Sequence, residues 1–256
     1  VQADALDGRI DGFEIRNGFG TNGVGLRHYF GNLVINNNRF KNNISTGNGG
    51  AIYVQSGLLK EFTRNHVDSN SISSSGNGAG IYFVNDPGTK IYYNTFTGNT
   101  TKNGSGGAIY AASTGGTLFD IRFNTFAENS VTGSGSAVAL LGYANFFNNT
   151  IAGNNTTNAG SWNVGAVYID NIPSLVFGGN IFAGNRRATA TGYQSQSIDM
   201  TGGATNGNNF SFSNEGYNIF TSIGGYTTSY TGMNATDRRV YGDEIPLILE
   251  GTSVNN

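Results

Sequence analysis

The stretch Asn94-Thr95-Phe96-Thr97-Gly98-Asn99, followed by Gly107-Ala108-Ile109-Tyr110 and then by Asn124-Thr125-Phe126-Ala127-Glu128-Asn129, contains one full period of the chain. Its first mark, Asn-x-apolar-x-x-Asn, opens at Asn38, Asn65, Asn94, Asn124, Asn149 and Asn180, with successive spacings of 27, 29, 30, 25 and 31 residues. The mark closes at Asn43, Asn70, Asn99, Asn129, Asn154 and Asn185. The second mark is Gly50-Ala51-Ile52-Tyr53, repeated as Ala79-Gly80-Ile81-Tyr82 and Gly107-Ala108-Ile109-Tyr110, and more weakly as Ser136-Ala137-Val138-Ala139 and Gly165-Ala166-Val167-Tyr168. A period of this length is the signature of a stacked-repeat architecture.

Each repeat is too short for a βαβ unit and too rich in glycine for paired helices. Apolar residues alternate with period two, as in Ile52 and Val54, Ile81 and Phe83, or Val138 and Leu140. That is the strand period. A third apolar column, Ile35, Phe62, Ile91, Ile121, Phe146 and Phe177, lies three residues before each first Asn. The reading is an all-β, right-handed parallel β-helix of about seven turns of roughly 29 residues, with three short strands per turn. One domain is expected over 1–256: an entry segment 1–9, repeat turns 10–220, and a C-terminal turn or cap 221–256. Ile52, Ile81, Ile109, Val138 and Val167 form one interior stack, and Phe40, Val67, Phe96, Phe126, Ile151 and Phe182 another. The two Asn columns are expected at corners, as structural ladders whose amides bond from turn to turn and whose backbone takes the left-handed conformation.

Composition narrows the function. The chain has 40 Gly, 36 Asn, 3 Pro and no Cys, and 12% of its residues are charged. An aromatic share of 12% in regular register separates it from disordered Gly/Asn-rich chains. A net charge of −2 provides no field for nucleic acid or anionic lipid. The basic doublets Arg186-Arg187 and Arg238-Arg239 read as surface charge. The lack of cysteine excludes disulfides and thiolate metal sites. No apolar run reaches membrane-spanning length, and no signal peptide is visible, so Val1 reads as a processed or truncated start.

Catalytic constellations are sparse. Acidic residues are scattered, and the one adjacent pair is Asp243-Glu244. Paired carboxylates of the kind a glycoside hydrolase needs are not evident. Asp68, Asp86 and Lys90 are the best candidates for a calcium-dependent lyase site, set against a reading as loop charge. His28 and His66 fall on adjacent turns in different strands, and both read as surface residues. No cofactor or metal is expected. If Ile52, Ile81, Ile109 and Val167 face inward, Tyr53, Tyr82, Tyr110 and Tyr168 form an outward stripe interrupted by Ala139. Such a stripe either contacts a glycan or another chain, or is covered by a loop such as 100–105 or 156–163.

The paired FxxN and GGAI marks resemble the repeat of chlamydial polymorphic membrane proteins and related adhesin passenger domains. Asp11-Gly12-Phe13-Glu14-Ile15-Arg16-Asn17-Gly18 resembles the entry rung of many secreted β-helix proteins. Asn180 through Ile198-Asp199 and Gly216-Tyr217-Asn218-Ile219 to Asp243 resembles the end of choice-of-anchor-Q type repeat proteins, although only nine residues follow Asp243-Glu244-Ile245-Pro246-Leu247. The resemblance implies an extracellular or cell-surface, bacterial, structural or adhesive module: a fibre subunit or adhesin. Its expected partners are itself, end to end through an apolar tail at Val240-Tyr241 and Ile245 to Leu249 and laterally through the tyrosines, and surface glycans. The alternatives are a polysaccharide-active lyase or glycoside hydrolase, a glycan-binding module, and, against the irregular Thr and Ser positions, ice binding.

Overall fold

The computed structural model describes residues 2–3, 7–56, 58–84, 88–112, 118–157, 165–169, 174–189, 192–195, 211–220, 236 and 238–239. They form a parallel β-solenoid, with no helix among the described residues. Four sheets of seven, eight, nine and eight strands run its length. In the central turn the chain passes through Ile81–Val84, Lys90–Tyr92, Thr95–Thr97 and Thr100–Asn103 before returning to the first sheet at Ile109–Ala112. Along the first sheet, Gln2, Arg27, Tyr53, Tyr82, Tyr110, Ala139 and Tyr168 are in register. Those seven strands bound about six turns of about 28 residues, close to the expected seven of roughly 29.

Three strands per turn is corrected to four. The fourth sheet was hidden because its strands are short and inwardly polar. Ile44–Ser45, Ser130–Val131 and Asn155–Thr156 hold two residues each. The buried residues of this sheet are Ser45, Ile72, Thr101, Val131 and Thr156, a mixture that no hydrophobic alternation reveals. The segment 100–105, a candidate cover for the tyrosines, begins with one of these strands, Thr100–Asn103.

The three apolar columns fill the interior. Every residue named in them is buried. The phenylalanines also meet between columns: Phe62 lies 6.3 Å from Phe40 and 6.0 Å from Phe96, ring centre to ring centre. Each apolar side chain thus has like neighbours above and below, and burying a Phe or Ile in this way is worth roughly 1.5–3 kcal/mol. The glycines before each first-sheet strand are there by necessity. Gly78 has φ +68, and a Cβ there would overlap the carbonyl oxygen of Ile81.

Regularity fails late in the chain. Arg186–Thr189 pairs antiparallel with Gly192–Ser195, a hairpin in an otherwise parallel stack. The following turn is consequently long: Ile181 pairs with Ile219, 38 residues ahead. Arg238-Arg239 then adds a strand beside Ile219-Phe220. The expected apolar tail at Val240-Tyr241 and Ile245 to Leu249 lies outside the described residues, as does nearly all of 221–256.

Candidate functional site

The asparagine columns are two continuous hydrogen-bond ladders. In the first, the Oδ1 of each Asn accepts from both the backbone N–H and the Nδ2 of the Asn one turn earlier. Asn65 Oδ1 takes Asn38 N at 2.8 Å and Asn38 Nδ2 at 3.2 Å, and the pattern continues through Asn94, Asn124, Asn149 and Asn180. Each Nδ2 also donates to a backbone carbonyl of the preceding turn, as Asn94 does to Phe62 at 2.8 Å. The second ladder repeats this through Asn43, Asn70, Asn99, Asn129, Asn154 and Asn185. The first has a seventh member, Asn218, which accepts from Asn180 at 2.9 and 3.1 Å. Its spacing of 38 residues concealed it.

A third, shorter ladder runs with the opposite polarity. Asn48 N donates back to Asn22 Oδ1, Asn77 N to Asn48 Oδ1, and Ser105 N to Asn77 Oδ1. These residues precede the Gly-Ala-Ile-Tyr marks, and their recurrence before glycine was the available signal.

The left-handed backbone is not at the ladder residues. It lies one position earlier. Before the first ladder, Asn37, Arg64, Tyr93, Phe123, Asn148, Gly179 and Tyr217 all have φ between 54° and 65°. Before the second, Asn42, Ser69, Gly98, Glu128, Gly153 and Gly184 have φ between 53° and 63°. The physical reason is that the ladder Asn must keep its side chain inward, where it is almost fully buried and bonded on both sides. The preceding residue makes the corner and points outward. For side chains other than Gly this conformation costs about 1–3 kcal/mol.

Three of the four tyrosines expected in the outward stripe form a ring stack. Tyr53 and Tyr82 lie 5.3 Å apart at 15°, and Tyr82 and Tyr110 5.2 Å apart at 7°. Tyr53 is buried, and Tyr82, Tyr110 and Tyr168 are half-buried. Ala139, in register between Tyr110 and Tyr168, is fully buried. Burial raises the phenol pKa of Tyr53 and Tyr82, with the neighbouring phenols adding to the effect. Tyr82 has a ring on each face, so only its edge and hydroxyl remain for a partner.

Two of the three lyase candidates, Asp68 and Lys90, lie in different sheets. Asp68 is in the third sheet and binds Arg39 through two bonds of 2.9 and 3.2 Å, with Lys41 at 3.8 Å. Lys90 is in the second sheet, in register with Glu61 and Asp120. Asp86 and the pair Asp243-Glu244 lie outside the described residues. Asp120 instead binds Arg122 at 2.5 Å and the hydroxyl of Tyr92. Burial, followed by that bond to Asp120, pushes the Tyr92 phenol up to about 12. No group of three or more His, Cys, Asp or Glu able to hold a metal occurs among the described residues.

His66 is half-buried beside Thr97. His28 is not a surface residue. It is fully buried, occupying the inward position that Val54 holds in the next turn, with Nε2 3.2 Å from the carbonyl of Gly31.

Sequence reasoning missed one corner. Tyr93 and Phe123 stack at 5.1 Å and 6°, are 53% and 45% exposed, and carry left-handed backbone. The guanidinium of Arg64, one turn earlier, lies 5.8 Å from the Tyr93 ring centre. An aromatic residue immediately before the first Asn in two consecutive turns was the readable sign. Beside this corner Phe13, Glu14, Asn37, Arg39, Arg64 and His66 line a shallow depression of about 380 Å³.

With these positions fixed, a comparison acquires structural meaning. Residues 39–55 and 95–112 match the Chlamydia polymorphic membrane protein repeat. Each match begins on the third sheet at the apolar column, with Phe40 or Phe96, and crosses a ladder residue, Asn43 or Asn99. It ends in the first sheet on Ile52 or Ile109 and the stacked tyrosine beside it. The repeat is thus defined by the residues that build the solenoid, and in this the chain resembles polymorphic outer membrane protein passengers. No curated protein and no solved structure matches the chain.

Proposed function

We propose that the chain is an adhesive and structural module displayed on a bacterial surface, in the manner of an adhesin passenger. The observation that carries the reading is the repeat match on residues 39–55 and 95–112, which falls on the stacking elements themselves. A rigid stack with one outward residue per corner is suited to holding contact surfaces away from a cell. The finer reading is a fibre subunit that associates end to end, and laterally through the tyrosine edges. Support for the lateral contact comes from the Tyr53–Tyr82–Tyr110 stack, which leaves the edge and hydroxyl of Tyr82 for a partner. A head-to-tail contact between copies would propagate without closing.

Light scattering and electron microscopy of the purified chain over a range of concentrations test the finer reading. Concentration-dependent filaments are expected. A monomer at all concentrations removes the fibre. Attachment of the labelled protein to cell and matrix surfaces tests the adhesive reading, which fails if no surface retains it.

A further inference from the structure

The corner between the second and third sheets displays one outward residue per turn, in the order Gly12, Asn37, Arg64, Tyr93, Phe123, Asn148, Gly179 and Tyr217, all with positive φ. Gly and Asn take this conformation at the least cost. Arg64, Tyr93 and Phe123, in three consecutive turns, do not. Burial does not account for the two aromatics either, since about half of each is exposed. Exposed bulky side chains held on strained backbone point to contact with a ligand.

The arrangement says which ligand. Arg64 is exposed and has no carboxylate within salt-bridge distance among the described residues, whereas the nearby Arg39 is committed to Asp68 and Glu14. The Tyr93 ring lies beside the Arg64 guanidinium, and Phe123 backs Tyr93. The cation thus has an aromatic ring beside it and no ion pair with a carboxylate among the described residues. It borders the depression of about 380 Å³ that Phe13 and Asn37 also line, together with Glu14, whose carboxylate pairs with Arg16 and Arg39. A planar guanidinium recognises a carboxylate or sulfate through two parallel bonds. An exposed aromatic ring supplies an apolar surface for the C–H face of a sugar, and the Asn37 amide can serve its hydroxyls.

We propose that this corner binds an acidic saccharide, with Arg64 taking its carboxylate or sulfate, Phe13 meeting the sugar ring, and the Tyr93–Phe123 stack positioning Arg64. The proposal rests on the adhesive reading and supplies its target class. The chain carries a net charge of −2, so attraction is local to this corner and weakens with salt.

Calorimetry of the purified chain at low salt, against heparin-derived oligosaccharides, oligogalacturonate and neutral cellohexaose, tests it. One or both acidic saccharides bind and the neutral one does not; which acid binds separates sulfate from carboxylate. Arg64→Gln lowers the affinity about tenfold or more, and Arg64→Lys restores part of it. Tyr93→Gly relieves the backbone strain, so it lowers the affinity while leaving the melting temperature unchanged or raised. Absence of binding by both acidic saccharides, equal binding of the neutral one, or undiminished affinity in Arg64→Gln overturns the proposal. Cell attachment separates the two claims. If wild type and Arg64→Gln attach equally, adhesion stands and this site is not its basis; if wild type does not attach anywhere, the adhesive reading itself fails.

Discussion

Phe96 and Phe126 stack in the interior with ring centres 5.1 Å apart and planes 13° from parallel, and neither has accessible surface. Their backbones are in register across the third sheet, so each ring is a face of the other's site. Phe126→Ala opens a cavity that the rigid stack cannot collapse into. A loss of about 3–5 kcal/mol is expected, read as a lower denaturant midpoint. An unchanged midpoint contradicts the packing.

The ladders give a prediction with a pH signature. Asn99 is fully buried, donates from Nδ2 to the Val67 carbonyl at 2.8 Å and to Asn129 Oδ1 at 2.9 Å, and accepts from Asn70. Asn99→Asp replaces that donor with a carboxylate facing two oxygens. Its folded pKa must rise above the unfolded value of about 3.9. A group raised in the folded state contributes stability below its unfolded pKa and loses it as pH rises through the folded one. The destabilisation relative to wild type should therefore be least in acid and grow toward neutrality. A difference that is flat with pH sinks the ladder geometry at this position.

Two glycines with positive φ separate backbone strain from steric overlap. Gly78 cannot accept a Cβ because the Ile81 carbonyl occupies the space, while Gly184, at φ +59, has nothing within 4 Å. Gly184→Ala should cost only the conformational penalty, about 1 kcal/mol. Gly78→Ala should cost clearly more, or abolish folding. Equal melting temperatures for the two variants would show that the first-sheet entry is looser than described.

Tyr92 should ionise late. Its phenol is raised to about 12 by burial and by the bond to Asp120. The folded state resists ionisation, so stability from this group is intact below about pH 10 and declines as pH rises toward 12. Ultraviolet difference titration of wild type against Tyr92→Phe isolates the phenolate. An ordinary midpoint near 10 would mean that Tyr92 is free of Asp120.

Most of the fold was legible because a solenoid writes the same constraint many times. The columns of Ile52 and Phe40 recur in every turn with large apolar residues, and a two-residue period leaves no other face for them. The fourth sheet was illegible because Ser45, Thr101 and Thr156 are buried yet polar. In strands as short as Asn155–Thr156 alternation has no length in which to appear. The corner conformation was placed one residue late because Asn36-Asn37-Asn38 suggests a left-handed Asn without saying which one. Arg64, Tyr93 and Phe123 are residues in which that backbone is not expected at all. The corner they form left one sign, an aromatic residue before the first Asn in two consecutive turns, but its members lie a full turn apart in sequence and meet only when the stack is built.

The ladders also have a direction. Between successive members of the seven-membered and six-membered columns the amide oxygen always accepts from the Asn of the earlier turn, and one of the two Nδ2 hydrogens points to the Asn of the later turn. The short column through Asn22, Asn48 and Asn77 opposes them with fewer members. Amide dipoles aligned head to tail add, as they do along a helix, whereas the strand dipoles of a sheet contribute little. The amide-to-amide bonds of the two long columns are thus aligned along the axis, with the oxygen end toward the early turns. Every turn added in register lengthens that alignment without adding a single charged residue.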